Sequence, residues 1–175
     1  DTRITLRLLK HYNIDTKLIS YHEHSKRSKV TKLVNILRDT DLALVCDSGT
    51  PVISDPGREL VKLAQEEGFN VVPIPGPSSI IAGVSVSGLD TTKFLFVGFL
   101  PRKSSERIKL FKESLPSSTA LVFLESPRRL RASLTDLKNS LGDRKLTICR
   151  EMTKVYEEIF VGTAWMEENG EASFN

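Results

Sequence analysis

Two small α/β domains are what this 175-residue chain predicts, on three observations. Short β-rich runs of strand length recur at 42–46, 70–74, 93–99, 119–124 and 145–150, and the first has no polar alternation, which is how a strand covered on both faces by helices reads. Stretches before and between these runs place apolar residues at helical spacing, as Val30, Leu33, Val34 and Leu37 do ahead of the first. Loops rich in Gly, Pro, Ser and Asp follow the first two runs, at 47–57 and 75–79. In an open α/β sheet the carboxyl ends of the strands are the edge at which ligands bind, so the ligand site is expected there.

In chain order, Ile4, Leu8 and Leu9 share a helical face, with no strand ahead of them. A short apolar run at 18–21 leads into the polar, cationic loop His22-Glu-His-Ser-Lys-Arg-Ser-Lys, and an amphipathic helix carrying Val30 to Leu37 follows. Residues 42–46 read as a central parallel strand. The loop Asp47-Ser-Gly-Thr-Pro-Val-Ile-Ser-Asp-Pro-Gly reads either as a ligand loop or as a pair of tight turns. Leu60, Val61 and Ala64 mark the next helix, stopped by Gly68. Residues 70–74 read as a second buried strand running into Pro75-Gly-Pro-Ser-Ser. Ser78 and Ser79 are therefore expected to face the 48–53 loop across one crevice, and either also suits a helix N-cap.

The run at 93–99 ends in Leu100-Pro-Arg-Lys-Ser, where the pattern breaks. The domain boundary is placed there, giving an N-terminal α/β domain at 1–100 and an incomplete C-terminal one at 101–175. In the latter, Ile108, Phe111 and Leu115 give a helix, 119–124 a strand, and Ser126-Pro127 a helix start. Leu130, Leu134, Leu137 and Leu141 form a helical stripe ended by Gly142, and 145–150 with 155–161 form a hairpin.

Composition excludes several classes. Apolar content of 39% suits a packed core, and 25 basic against 22 acidic side chains leave a net charge of +3, too small a field to mark a nucleic-acid binder by itself. Cys46 and Cys149 lie far apart, each closing an apolar run, and read as buried small side chains of a reduced, intracellular protein. No apolar window is long enough for a membrane span and no signal peptide opens the chain, so cytoplasm is the default location. The P-loop, dinucleotide, zinc-protease and hydrolase-elbow motifs do not occur. His22 and His24 lack a third ligand, and no metal site is expected.

Basic residues cluster as Lys26, Arg27 and Lys29, as Arg102, Lys103 and Arg107, and as Arg128, Arg129 and Arg131. Each lies at a helix start or loop beside an expected strand end, which suits a polyanion held through its phosphates, and each alone also reads as a solvated helix face. Asp47, Asp55 and Glu125 sit at strand ends or turns, where carboxylates stabilise turns as often as they move protons.

Seven stretches in order resemble a known family: Asp1-Thr-Arg, Tyr21-His-Glu-His, the 47–57 loop, Pro73-Ile-Pro-Gly-Pro-Ser, Phe99-Leu-Pro-Arg-Lys, Glu125-Ser-Pro-Arg-Arg and Arg150-Glu-Met-Thr-Lys-Val-Tyr-Glu-Glu. They are similar to the tetrapyrrole methylase-like (class III) methyltransferases, and within them to the small-subunit ribosomal RNA methyltransferases. The resemblance implies a two-domain α/β fold with S-adenosylmethionine in the cleft between the domains. It further implies 2'-O-methylation of a cytidine in small-subunit (16S) ribosomal RNA, naked or in the assembled subunit, by a homodimer. By motif, Asp47, Ser48, Gly49, Thr50 and Ile53 fall on the family's cofactor loop, Ser78 and Ser79 on the position after its Pro-Gly turn, and Glu125 and Met152 on second-domain positions that close over the cofactor. Members of the family have a strand and a Pro-Ile-Gly-Asn-type loop ahead of Asp1 and a tail beyond Asn175, so the resemblance implies a trimmed chain. Arg128 stands where relatives often carry His.

Methyl transfer from a sulfonium is an in-line displacement. Alignment alone contributes up to about 7–11 kcal/mol in favourable cases, and no covalent nucleophile is needed. A positioned base adds about 10²- to 10⁴-fold, and His24, Lys103 and Glu125 are the candidates by location. Arg102, Lys103, Arg128 and Arg129 are the expected RNA-holding rim, with the target sugar splayed from its stack. Two rivals stay open: a tetrapyrrole C-methyltransferase, whose macrocycle needs a closed pocket, and a non-catalytic RNA-binding module.

Overall fold

The computed structural model describes residues 2–23, 25–114 and 119–164. The chain forms two compact units, Asp1–Ser78 and Ser79–Asn175.

The first unit contains α1 (Thr2–His11), α2 (Arg27–Ile36) and α3 (Arg58–Glu66). The helical spacing of Val30, Leu33 and Val34 gives α2 one buried face, which packs on α3, where Ala64 is buried. Gly68 ends α3 in the left-handed region, φ 81°. There the Phe69 N–H reaches back to the Ala64 carbonyl at 2.9 Å, the long closing bond of a glycine-terminated helix.

Two expected strands do not form. Among the described residues, neither 42–46 nor 70–74 carries strand pairing, and Val72 and Ile74 are 64% and 83% exposed. A run of β-formers becomes a strand only where a neighbouring backbone answers its N–H and C=O groups. Within this unit the two runs do not answer each other.

The second unit carries the sheets that make the fold α/β: α4 (Ser79–Val86), β1 (Phe94–Phe99), α5 (Ser104–Ser114), β2 (Ala120–Leu124), α6 (Pro127–Leu141), β3 (Lys145–Arg150) and β4 (Glu158–Thr163). β1 and β2 pair in parallel from Phe94↔Ala120 to Phe99↔Leu124, with α5 in the connection that a parallel pair requires. One extra residue in β1 is absorbed near Gly98, whose φ of 69° is the conformation a bulge glycine takes. Residues 100–103 run from β1 to α5 inside this unit. Leu115, expected to end that helix, lies outside the described residues.

β3 and β4 form an antiparallel hairpin, with Arg150 opposite Glu158 and their side chains paired at 3.1 Å. The second strand starts later than the apolar run from Val155 suggests. Glu151 and Thr153 take left-handed φ values of 49° and 66°, and the Lys154 N–H to Glu151 carbonyl and Glu157 N–H to Lys154 carbonyl bonds close the turn. Val155 and Tyr156 are thereby left on an exposed tip.

The core of this unit gathers Leu100, Phe111, Leu137 and Ala164, flanked by Val97, Leu110, Leu121 and Phe123. The Phe111 and Phe123 rings stand 6.1 Å apart. Pro127 opens α6 as its sequence predicts, but Ser126 makes no side-chain cap bond. Its backbone N–H instead serves Glu125.

Candidate functional site

The loop at 47–57 is built from backbone that most residues avoid. Gly49, Val52, Ser54 and Gly57 all have positive φ, at 72°, 76°, 57° and 144°. For a β-branched residue such as Val52 this is a genuine outlier. Strain of this kind costs of order 1–3 kcal/mol per residue and collects at ligand-binding segments. The hydroxyl of Thr50 donates to the Pro77 carbonyl at 3.3 Å, so the two polar turns are neighbours. Their adjacency does not need the parallel strands expected to lead into them. The Cys46 thiol donates to the Ser48 carbonyl at 3.1 Å, and partial burial pushes that thiol up, the Asp55 and Asp47 carboxylates adding to the effect.

In the second unit a cavity of about 670 Å³ opens among α4, β2, α6 and β3, a volume in the range of small-molecule sites. Ser79, Glu125 and Met152 line it together, beside Cys149 and the apolar Leu121 and Leu134. α4 begins at Ser79, with Ser78 at its entry. The helix is tied to β3 where the Thr147 hydroxyl donates to the Ser87 carbonyl at 3.0 Å, and Gly83 lets the helix lie close to the Cys149 sulfur. Burial, and secondarily the Glu157 carboxylate, push the Cys149 thiol up. Met152 sits between the two left-handed residues Glu151 and Thr153. Among the described residues, five non-glycines have positive φ, and four of them fall in the two turns that hold Ile53 and Met152.

Glu125 is nearly inaccessible, its side chain 2% exposed. Oε1 accepts the Ser126 N–H at 2.7 Å, and Oε2 accepts the Ser133 hydroxyl at 2.7 Å and pairs with Arg129 at 3.1 Å. Arg129 turns inward from the basic rim, and its Nη2 donates to the carbonyls of Leu100 and Pro101 at 2.7 and 2.8 Å. Arg107 is buried too, paired with Asp136 at 2.6 Å, while Arg102, Lys103 and Arg128 stay exposed. Lys103 lies 3.4 Å from Glu106. His24 lies outside the described residues, and among those described no three His, Cys, Asp or Glu side chains converge as metal ligands.

Ser133 and Asp136 are parts of this arrangement that the residue pattern did not single out. Their signal is a polar stripe, Glu125, Arg129, Ser133 and Asp136, running at helical spacing beside the leucine stripe of α6.

A family model described as Tetrapyrrole (Corrin/Porphyrin) Methylases matches residues 2–165. Proteins named ribosomal RNA small subunit methyltransferase I are similar over 93% of this chain. That of Halalkalibacterium halodurans is 47% identical, that of Synechocystis sp. 44% and that of Thermotoga maritima 42%. The chain spans 57%, 59% and 73% of those three proteins, respectively. Identity at this level over nearly the whole chain, with the family's match running from α1 past β4, shows that the chain belongs to the tetrapyrrole (corrin/porphyrin) methylases.

Proposed function

We propose that this protein is an S-adenosylmethionine-dependent methyltransferase that 2'-O-methylates a cytidine of small-subunit ribosomal RNA. The observation that carries the reading is the cavity of the second unit, which brings Ser79, Glu125 and Met152 to one surface. The names of the relatives supply the substrate class.

The cavity suits the cofactor chemically. Leu121 and Leu134 offer apolar wall for a base, and Asp90 offers a carboxylate toward a cationic sulfur. The Thr92 backbone N–H, with its hydroxyl, holds the Asp90 carboxyl below the usual carboxylate range, so that charge is present at neutral pH. When bound, S-adenosylmethionine supplies an electrophilic methyl group. Asp47, Ser48, Gly49, Thr50, Ile53 and Ser78 of the first unit, with Ser79, Glu125 and Met152 of the second, are the residues proposed to contact it.

Three donors already occupy Glu125, so we give it a holding role: it fixes the start of α6 along the cavity wall. Removal of the acceptor proton then falls to Lys103 or His24. Arg102, Lys103 and Arg128 are exposed where phosphates can reach them. No described helix is long and apolar enough to cross a membrane. A cytoplasmic homodimer acting on naked RNA or on the assembled subunit completes the proposal.

The test is transfer of labelled methyl from S-adenosylmethionine to small ribosomal subunits, to naked 16S RNA and to a tetrapyrrole precursor. Label in an alkali-resistant cytidine dinucleotide is the expected result. Label on the tetrapyrrole alone overturns the RNA assignment, and RNA affinity without cofactor binding turns the reading to a binding module. Near-normal turnover with both K103A and H24A removes the proposed base.

The two cysteines give a second check, one in each unit. Saturating cofactor is expected to slow alkylation of Cys149 by roughly tenfold or more, because reaction then needs the small unbound fraction. Cys46, hydrogen-bonded to the Ser48 carbonyl, is expected to be protected as well. Equal alkylation of Cys149 with and without cofactor, read by peptide mass, would remove the cavity from the site.

A further inference from the structure

Two arginines that belong to the basic rim by sequence spend guanidinium hydrogen bonds on the protein's own backbone. They hold three successive carbonyls of the segment joining β1 to α5. Arg129 Nη2 donates to Leu100 and Pro101 at 2.7 and 2.8 Å, and Arg107 Nη1 donates to Pro101 and Arg102 at 3.1 and 2.7 Å. Each guanidinium is balanced by a carboxylate of the α6 region. Asp136 Oδ2 accepts from Arg107 Nε at 2.8 Å and lies 2.6 Å from Nη2, and Glu125 lies 3.1 Å from Arg129. Ser104, at the start of α5, closes the arrangement by donating to the other Asp136 oxygen at 2.8 Å. The next side chains outward from the clamped backbone are Arg102 and Lys103, both exposed, Lys103 to 78%.

We infer that Arg107 and Arg129 are positioning residues: together they fix the Pro101-Arg102-Lys103 turn so that the Arg102 and Lys103 side chains meet the phosphates of the RNA substrate in one orientation. The inference rests on the RNA reading above and deepens it. It assigns Arg129 to the protein's own backbone instead of to the RNA. At Arg107 the planar fork serves carbonyls through Nη1 and a carboxylate through Nε and Nη2, a geometry that an ammonium lacks. At Arg129 the terminal Nη2 reaches both carbonyls and Glu125, one bond further out than a lysine ammonium extends. An ordered backbone also spares the two cations part of the side-chain and loop ordering that binding otherwise costs.

The experiment compares RNA binding by the full-length protein as its parent and as R102A/K103A, R129A, R129K, R107K and R129K combined with R102A/K103A, across a salt series. R102A/K103A is expected to lower the slope of log affinity against log salt by about 1.4–1.8, two phosphate contacts' worth. R129K keeps the charge of Arg129, yet it is expected to bind as weakly as R129A, and to add little once Arg102 and Lys103 are gone. R107K is expected to raise KM for RNA by about tenfold or more, since a small misplacement of a positioning group can cost on the order of 10²-fold. Its KM for S-adenosylmethionine should stay near the parent value.

Parent-like RNA binding by R129K, or an effect that adds in full to that of R102A/K103A, overturns the positioning role alone. Unchanged binding by R102A/K103A overturns the RNA reading of this turn and the inference with it. Should R107K fail to fold, R129K decides, because its side chain is 31% exposed and tolerates replacement more readily.

Discussion

Replacing Asp136 by alanine is expected to cost about 3–5 kcal/mol of stability, the range for breaking one side of a buried ion pair. Arg107 is 6% exposed and cannot follow its lost partner into water. The carboxylate accepts from Arg107 Nε at 2.8 Å and lies 2.6 Å from Nη2, and both guanidinium nitrogens would be left without a buried anion. Two effects limit the loss. Nη1 keeps the carbonyls of Pro101 and Arg102, so part of the guanidinium stays satisfied, and the alanine adds helix propensity to α6. Urea unfolding checks the figure, and for a chain of this length the melting temperature should fall by roughly 6–20 °C. S104A removes only the 2.8 Å bond to the far oxygen and should cost about 1 kcal/mol. A D136A loss no larger than that of S104A would mean that the guanidinium reaches water and that the pair is not buried in solution.

Asp136 also marks the limit of what the residues disclose before folding. The helices and strands from β1 to β3 are legible because their signals are local: leucines at helical spacing in α6, Pro127 at its start, Gly142 after its end, and β-rich runs of strand length. Residues 42–46 have the same β-rich character as β2, yet only β2 meets a neighbour, since pairing depends on a second backbone that composition does not describe. The candidate site follows the same division. The turns of the 47–57 loop are legible in its glycines and prolines, whereas the meeting of Ser79, Glu125 and Met152 along one cavity depends on how α4, β2, α6 and β3 pack. The basic rim is of the second kind. Sequence gives the sign of Arg107, Arg128 and Arg129, but whether a guanidinium faces solvent or a carbonyl is settled by what α6 packs against.

Gly57→Ala is expected to have the largest effect on cofactor binding. Gly57 has φ 144° and ψ −22°, a conformation that L residues rarely adopt, and holding it costs about 1–3 kcal/mol. An added Cβ would also stand 2.7 Å from Leu44 Cδ2 and 2.8 Å from Val52 Cγ2. The Leu44 tip can move aside. Val52 has no such freedom, because its own φ of 76° is already strained and its methyl is carried directly on Cβ. Relief therefore comes from the backbone of the 47–57 loop, and overpacking of this kind adds about 1–3 kcal/mol. The expected result is a stability loss of about 2–6 kcal/mol from the two terms together. Affinity for S-adenosylmethionine should fall by at least about tenfold, because the displaced loop carries Ser48, Gly49, Thr50 and Ile53. Gly68→Ala supplies the comparison. That glycine also has positive φ, 81°, but a Cβ there meets nothing within 4 Å, so G68A should cost only about 1–2 kcal/mol and leave cofactor affinity unchanged. If calorimetry finds the cofactor bound equally well by G57A and G68A, the strained loop has no part in the site, and its left-handed residues need another explanation.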